Sequence, residues 1–316
     1  MVFVLAAAAA LYLFFSRRPP VLIVTDAAFA ALYGESRLRQ QQTSTALALF
    51  RPVKPVIIAD GASPDMVLAA ITEANAQPWC VLFPRSHAQS AARFHEEFPE
   101  TTAALLGGTV PAPELPSPDP NGFFCVYVTD RDTDLYRAGL LAGILAGIRQ
   151  KPLKPEEDQE ENAPVEEANT RKTIVFWQNR SVRDEGRNLF TQGVMEQEPD
   201  AAVIFINLGS QMPEAQGISC VVLTGAGAEY METHPSMPMI LFTWLDPAMT
   251  SKNVAVTFDD SVWALAAPAS RMAVQQQAEG KIPSNPLIFS AKIADNSVFR
   301  LLKKSAKKMP QTENNP

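Results

Sequence analysis

A chain of 316 residues is long enough for two domains. It is 47% apolar and 19% charged, the ordinary globular range, and its net charge of −7 with a pI near 5.1 argues against a nucleic-acid partner, which would call for a basic face. Cys80, Cys125 and Cys220 stand far apart in apolar stretches, and neither they nor His87, His95 and His234 have metal-ligand spacing. The cysteines read as buried small hydrophobes, and no metal or cofactor is expected.

Residues 2–15 form an uninterrupted apolar run, followed by Ser16, Arg17, Arg18 and two prolines. As a helix the run covers roughly 21 Å, short of a ~30 Å hydrocarbon core, and its length suits the apolar region of a signal peptide. No basic side chain precedes it, so an uncleaved membrane anchor is the other reading of residues 1–20. The two arginines on its C-terminal side would favour a cytoplasmic body, opposed to the export that a signal peptide implies.

From Val21 strands and helices alternate. Residues 21–26 read as a strand ending in Asp26, residues 27–50 as a long Gln-rich helix, and residues 55–61 as the second strand. Ser63 caps a helix over residues 63–75 with Pro64 in its first turn. A third strand (79–86), a helix (87–98) and a fourth strand (101–108) follow, and a proline-rich connection fills 110–122. Residues 123–129 are an apolar strand. Asp130, Asp132 and Asp134 then suit a helix N-terminus, where carboxylates meet free N–H groups. The helix itself, residues 136–148, carries Gly139, Gly143 and Gly147 four apart on one face. The run is too short to span a bilayer, so the smooth face is expected against a sheet.

Residues 151–171 interrupt the pattern with seven acidic and three basic residues, three prolines and no aromatic residue; they read as a disordered acidic insertion. Strands are expected again at 173–179, 202–209, 219–228, 238–246 and 253–260. Helices are expected at 183–196 and 262–277, a short terminal strand at 287–290 and a basic helix or tail at 297–308. Apolar strands alternating with helices predict an α/β protein with two doubly wound parallel sheets.

The wording YRAGLLAGILAG at 136–147 resembles the tyrosine–(any)–alanine–glycine helix of the basic membrane protein family, nucleoside-binding lipoproteins among the type 1 periplasmic binding proteins. The similarity continues, in order, through KTIVFWQN with RNLFTQGV, TGAGA, FTWLD, and VAVTFDD with SVWALAAPASRMAV, over most of residues 21–300. It implies two lobes joined by three crossings, residues 21–122 with 250–280 and residues 123–249 with 281–302, with a basic, polar tail at 303–316. It also implies a ligand between the lobes at the carboxyl ends of the strands. The positions so implied are Asp26, Phe29, Asp60, Ser86, Asn179, Asn207, Gly225, Asp246 and Asp259, with Arg85, Gly107, Gly108, Arg180 and Gly227 nearby and Trp177, Trp244 and Trp263 as aromatic neighbours. Carboxylates, amides and rings in that pattern suit a hydroxylated, partly flat molecule such as a nucleoside or sugar.

The chain departs from the family at marked places. No lipoprotein cysteine follows the apolar run. Asp26 is followed by AAFAAL, without the family's glycine turn and asparagine, and TFDDSVW lacks the family's lysine. Enzyme signatures are missing: Gly225–Ala226–Gly227 lacks a third glycine, and no Walker loop or nucleophile elbow occurs. The expectation is a non-enzymatic solute-binding protein of the bacterial envelope, facing away from the cytoplasm, with a small-molecule ligand, an ABC permease as partner and the N-terminal segment at the membrane. A sensor or partner-docking module that has lost the transport ligand is the alternative.

Overall fold

A computed structural model describes residues 15–75, 77–108, 117–148, 172–178, 182–207, 210, 217–224, 237–242, 254–289, 293 and 295–310. The strands are β1 Val21–Asp26, β2 Val53–Ile58, β3 Cys80–Pro84, β4 Thr102–Leu106, β5 Phe124–Thr129, β6 Thr173–Gln178, β7 Ala202–Asn207, β8 Ile218–Leu223, β9 Met239–Phe242, β10 Val254–Asp259, β11 Glu279–Ile282 and β12 Asn285–Ile288. The helices are α1 Ala27–Tyr33, α2 Glu35–Leu49, α3 Pro64–Ala74, α4 Ala88–Glu97, α5 Arg131–Ile148, α6 Asp184–Gln197, α7 Val262–Val274 and α8 Asn296–Ser305. The chain divides into two compact units, residues 1–130 with 260–285, and residues 131–259 with 286–316.

The first unit holds a sheet of order β11-β5-β4-β3-β1-β2, in which every neighbouring pair is parallel. Both faces of such a sheet are covered, which is why β1, β3 and β4 are apolar almost without a break. Leu22, Val24, Val81, Phe83, Leu105 and Phe124 pack beneath Val67, Ile71 and Phe94 of α3 and α4. Helix α7 covers β1, β3 and β4, and the Trp263 indole N–H donates to the Thr25 hydroxyl at 3.0 Å. Caps set the helix starts: the Ser63 hydroxyl accepts from the Met66 N–H, and the Ser261 hydroxyl accepts from the Ala264 N–H.

The second unit repeats the plan with a sheet of order β12-β10-β9-β8-β6-β7. Its core gathers Ile174, Phe176, Phe190, Val222, Ile240 and Phe258. Helices α5 and α6 lie against each other. A Cβ on Gly139 would stand 2.0 Å from the Phe190 carbonyl oxygen, and one on Gly193 would stand 2.2 Å from the Tyr136 carbonyl oxygen.

Five expectations are corrected here. The strand at 123–129 belongs to the first unit, because Phe124 and Val126 pack into its core and β5 pairs with β4; the chain leaves that unit after Asp130. Residues 254–259 (β10) pair with β9 in the second unit, so the return crossing falls at Asp260. The long helix at 27–50 is two, broken at Gly34, whose φ of +86° lies where only glycine sits without strain. The glycine face of α5 meets a helix backbone, not a sheet. The segment at 303–316 is no free tail through residue 310: Ser305 and Ala306 are buried, and the Arg137 guanidinium donates to the Lys308 carbonyl at 2.9 Å. Strand β11 has no counterpart in the sequence reading. The acidic segment 151–171 and residues 2–14 lie outside the described residues.

Candidate functional site

Parallel strands bring their carboxyl ends to one edge, and the loops that follow carry the polar groups of each sheet. In the first unit β1 ends at Asp26, β3 runs into a single 3₁₀ turn at Arg85–His87, and β4 ends at the Gly107–Gly108 pair. Both glycines have positive φ, +97° and +78°. That conformation lets the chain turn from β4 while the Thr129 N–H still bonds the Gly108 carbonyl at 2.8 Å.

Asp26 is the centre of this edge. One carboxylate oxygen lies 2.6 Å from His87 Nε2, and the other accepts from the Ser86 hydroxyl at 3.3 Å. His87 is buried, with only 7% of its side chain exposed, while Asp26 keeps 24%. Asp60, in the loop after β2, accepts from the Ala28 N–H at 3.2 Å. Around Asp26 opens a cavity of about 550 Å³, lined by Arg85, Ser86, His87, Gly61 and the first turn of α4. The Arg85 side chain lies over Gly108 so closely that a Cβ there would stand 1.9 Å from its Nη1.

This cluster is not a nucleophilic triad. In a triad the serine hydroxyl bonds the imidazole, which removes its proton, and the carboxylate sits behind the imidazole. Here serine and histidine both bond to the aspartate, so no imidazole reaches the Ser86 oxygen. The arrangement sets a carboxylate, a hydroxyl and an imidazole at the rim of the cavity, both side chains bonded to the carboxylate.

The remaining expected residues divide. Phe29 lies on α1, its ring stacked on Tyr33 at 5.1 Å, half-buried. Asn207 ends β7 in the second unit, where its amide oxygen accepts from Gln178 Nε2 at 2.8 Å. Asp259 ends β10 with no exposed surface and has partners of its own. Trp263, expected in an aromatic wall, is a core residue, 1% exposed, while Trp177 is half-buried. Asn179, Arg180, Gly225, Gly227, Trp244 and Asp246 lie outside the described residues. Two residues were not foreseen. His87 pairs with Asp26 across 61 positions, and Gln178 is buried at the end of β6, where its side-chain oxygen accepts from the Val182 N–H at 3.2 Å. A glutamine closing an apolar strand is a signal for the second; nothing local marks the first.

No known protein family and no curated protein matches the chain in sequence. Solved structures do match it in fold. A transcriptional activator of the comK gene from Bacillus halodurans aligns with a TM-score of 0.52 at 11% identity, over 93% of this chain and all of that one. A solute-binding protein of an ABC transporter system from Aeropyrum pernix K1 aligns with a TM-score of 0.47 at 11% identity, over 94% of this chain and 95% of that one. The chain therefore shares with the first of these a two-unit, doubly wound α/β fold. Among the described residues no helix is long and apolar enough to cross a membrane, and no cluster of His, Cys, Asp and Glu could hold a metal.

Proposed function

We propose that the protein is a solute-binding protein that takes a small, polar, hydroxylated molecule, a sugar or nucleoside, at the carboxyl edge of its first sheet. The observation that carries this is the cavity around Asp26, with Ser86 and His87 bonded to the same carboxylate. Each carboxylate oxygen has two lone pairs, so Asp26 can accept a ligand hydroxyl while its internal bonds hold it in place. Charged acceptors contribute about 1.5–3 kcal/mol per bond, enough to anchor a small ligand. The apolar N-terminal run would hold the protein at the envelope, facing away from the cytoplasm, where an ABC permease receives the ligand. Residues Asn179, Asn207, Gly225 and Asp246 would belong to the ligand surface of the second unit, and Phe29 and Asp60 to that of the first.

A thermal-shift screen of nucleosides, sugars and amino acids tests the reading, since a ligand at 100 times its dissociation constant adds about 2.7 kcal/mol. Asp26→Asn keeps the shape and removes the charge. It should weaken the ligand found by about tenfold or more. Unchanged affinity in that variant would remove Asp26 from the site.

A second reading, a sensor or partner-docking module without a transported ligand, is favoured by the internal engagement of both Asp26 oxygens and by the absence of the family's glycine turn and lysine. A screen in which no compound raises the melting temperature would favour it.

A further inference from the structure

The acids at the first sheet's edge, among them Asp26 and Asp60 foreseen as ligand-binding groups, are largely taken up inside the protein. His87 and Ser86 occupy the two oxygens of Asp26, Ala28 donates to Asp60, and Thr129 donates to Asp260. Arg85 is in the opposite position. It lines the same cavity, is half-buried, and among the described residues has no carboxylate partner.

The chain goes to some length to seat that side chain. Gly108 adopts a φ of +78°, and a Cβ there would stand 1.9 Å from Nη1, 2.8 Å from Cδ and 2.9 Å from Cζ of Arg85. Any other residue at 108 would push the guanidinium out of place and strain the turn. Beside it stand the Ser86 hydroxyl and the first turn of α4, which has neither a side-chain cap nor an acidic residue. A partly dehydrated guanidinium without a counter-charge loses solvation that an anion would restore. Its planar fork matches a carboxylate or a phosphate through two parallel hydrogen bonds.

Resting on the pocket reading above, we infer that the ligand carries an anionic group, a carboxylate or a phosphate, which Arg85 takes in a bidentate pair while Asp26 takes the hydroxyls. The ligand class is then a sugar acid or a sugar phosphate instead of a neutral sugar.

The test uses three compounds on one carbon skeleton: ribose, ribonate and ribose 5-phosphate. The full chain is titrated calorimetrically with each, as wild type, Arg85→Gln, Arg85→Lys and Asp26→Asn. The expected result is that ribonate or ribose 5-phosphate binds the wild type about tenfold or more tightly than ribose. Which of the two binds better separates the two anions. In Arg85→Gln that advantage disappears, and in Asp26→Asn all three compounds weaken together. Arg85→Lys keeps the charge without the fork, so it should lose most of the advantage, and it serves as the reporter if the glutamine variant does not fold. If the three compounds bind the wild type alike, or the advantage survives both arginine variants, the anion assignment is overturned while an Asp26-dependent ribose affinity leaves the pocket reading standing. If none of the three binds the wild type, the anion assignment falls, and the pocket reading falls with it only where the thermal-shift screen also finds no ligand.

Discussion

At the scale of single residues, the glycines of the α5–α6 pair make opposite predictions within one contact. Gly193→Ala places a methyl group 2.2 Å from the Tyr136 carbonyl oxygen, and both groups belong to packed helix backbones that cannot give locally. Overpacking of this kind costs about 1–3 kcal/mol or more, so thermal unfolding of the variant should begin many degrees lower. At Gly147 the only near atom is Oε2 of Glu198, at 3.1 Å, the end of a side chain that pairs with Lys172 and has only to give by a few tenths of an ångström. Alanine there should leave the melting temperature unchanged or raise it, since it gains up to about 1 kcal/mol over glycine within a helix. A second pair of residues sets a pH dependence. The Tyr136 hydroxyl donates to Glu196 at 2.6 Å, and Lys308 bonds the other oxygen of that carboxylate. Burial, and then the bond to Glu196, pushes the Tyr136 hydroxyl up to about 12. Its contribution is complete below the unfolded value of ~10 and is lost as pH rises through 12. The Lys308 and Tyr136 bonds hold the Glu196 carboxyl below the usual glutamate range, so its contribution is present above ~4.3 and is lost as pH falls through the lowered value. Urea midpoints measured against pH should lose part of their alkaline decline between pH 10 and 12 in Tyr136→Phe and part of their acid decline in Glu196→Gln.

At the scale of elements, the sequence is most legible where burial is two-sided. A parallel strand covered on both faces must be apolar throughout, and residues 21–26, 80–84 and 173–178 show this directly. Strand β11 shows the reverse. Its EGKI joins the sheet edge through backbone pairing with β5, and three of its four residues are half-buried or exposed, so no pattern announces it. The site divides in the same way. Asp26, Arg85 and Ser86 can be placed at strand ends by counting, but the contact that turns His87 back onto Asp26 spans 61 positions and depends on the register of β1 against β3. The helix at the C-terminus is legible, but its lysines suggest a solvated tail from residue 303, whereas Leu302, Ser305 and Ala306 face the protein. That element carries its own prediction. Ending the chain at Ser305 removes the carbonyl of Lys308 from the buried Arg137 guanidinium and the ammonium of Lys308 from Glu196. A buried charged donor that loses its acceptor costs about 1.5–3 kcal/mol, and the melting temperature should fall by several degrees. A truncated chain that melts with the full one would show these contacts to be idle.

At the scale of the whole molecule, both sheets follow one plan. In each, the second strand lies outside the first, the third to fifth extend the other way, and the far edge is closed by a strand that arrives after the chain has visited the other unit. The composition of residues 155–168, charged and rich in proline, cannot bury enough apolar surface to offset ordering. Replacing them with a short Gly/Ser linker should leave the melting temperature nearly unchanged, and a drop of many degrees would show that the segment packs.

The late closing strand has a consequence during synthesis. The first unit lacks α7 and β11 until residue 282 has left the ribosome, and the bond from Trp263 to Thr25 joins positions 238 apart. At ~5–20 residues per second the early strands wait roughly 10–50 s for that tryptophan. For that time the apolar face meant for α7 and the open edge of β5 are both bare, whereas the second unit lacks only β12 and α8, made soon after its other strands. The half of the chain that emerges first is therefore the one that waits longest for its missing pieces, and it is the half with the greater need of a chaperone's cover.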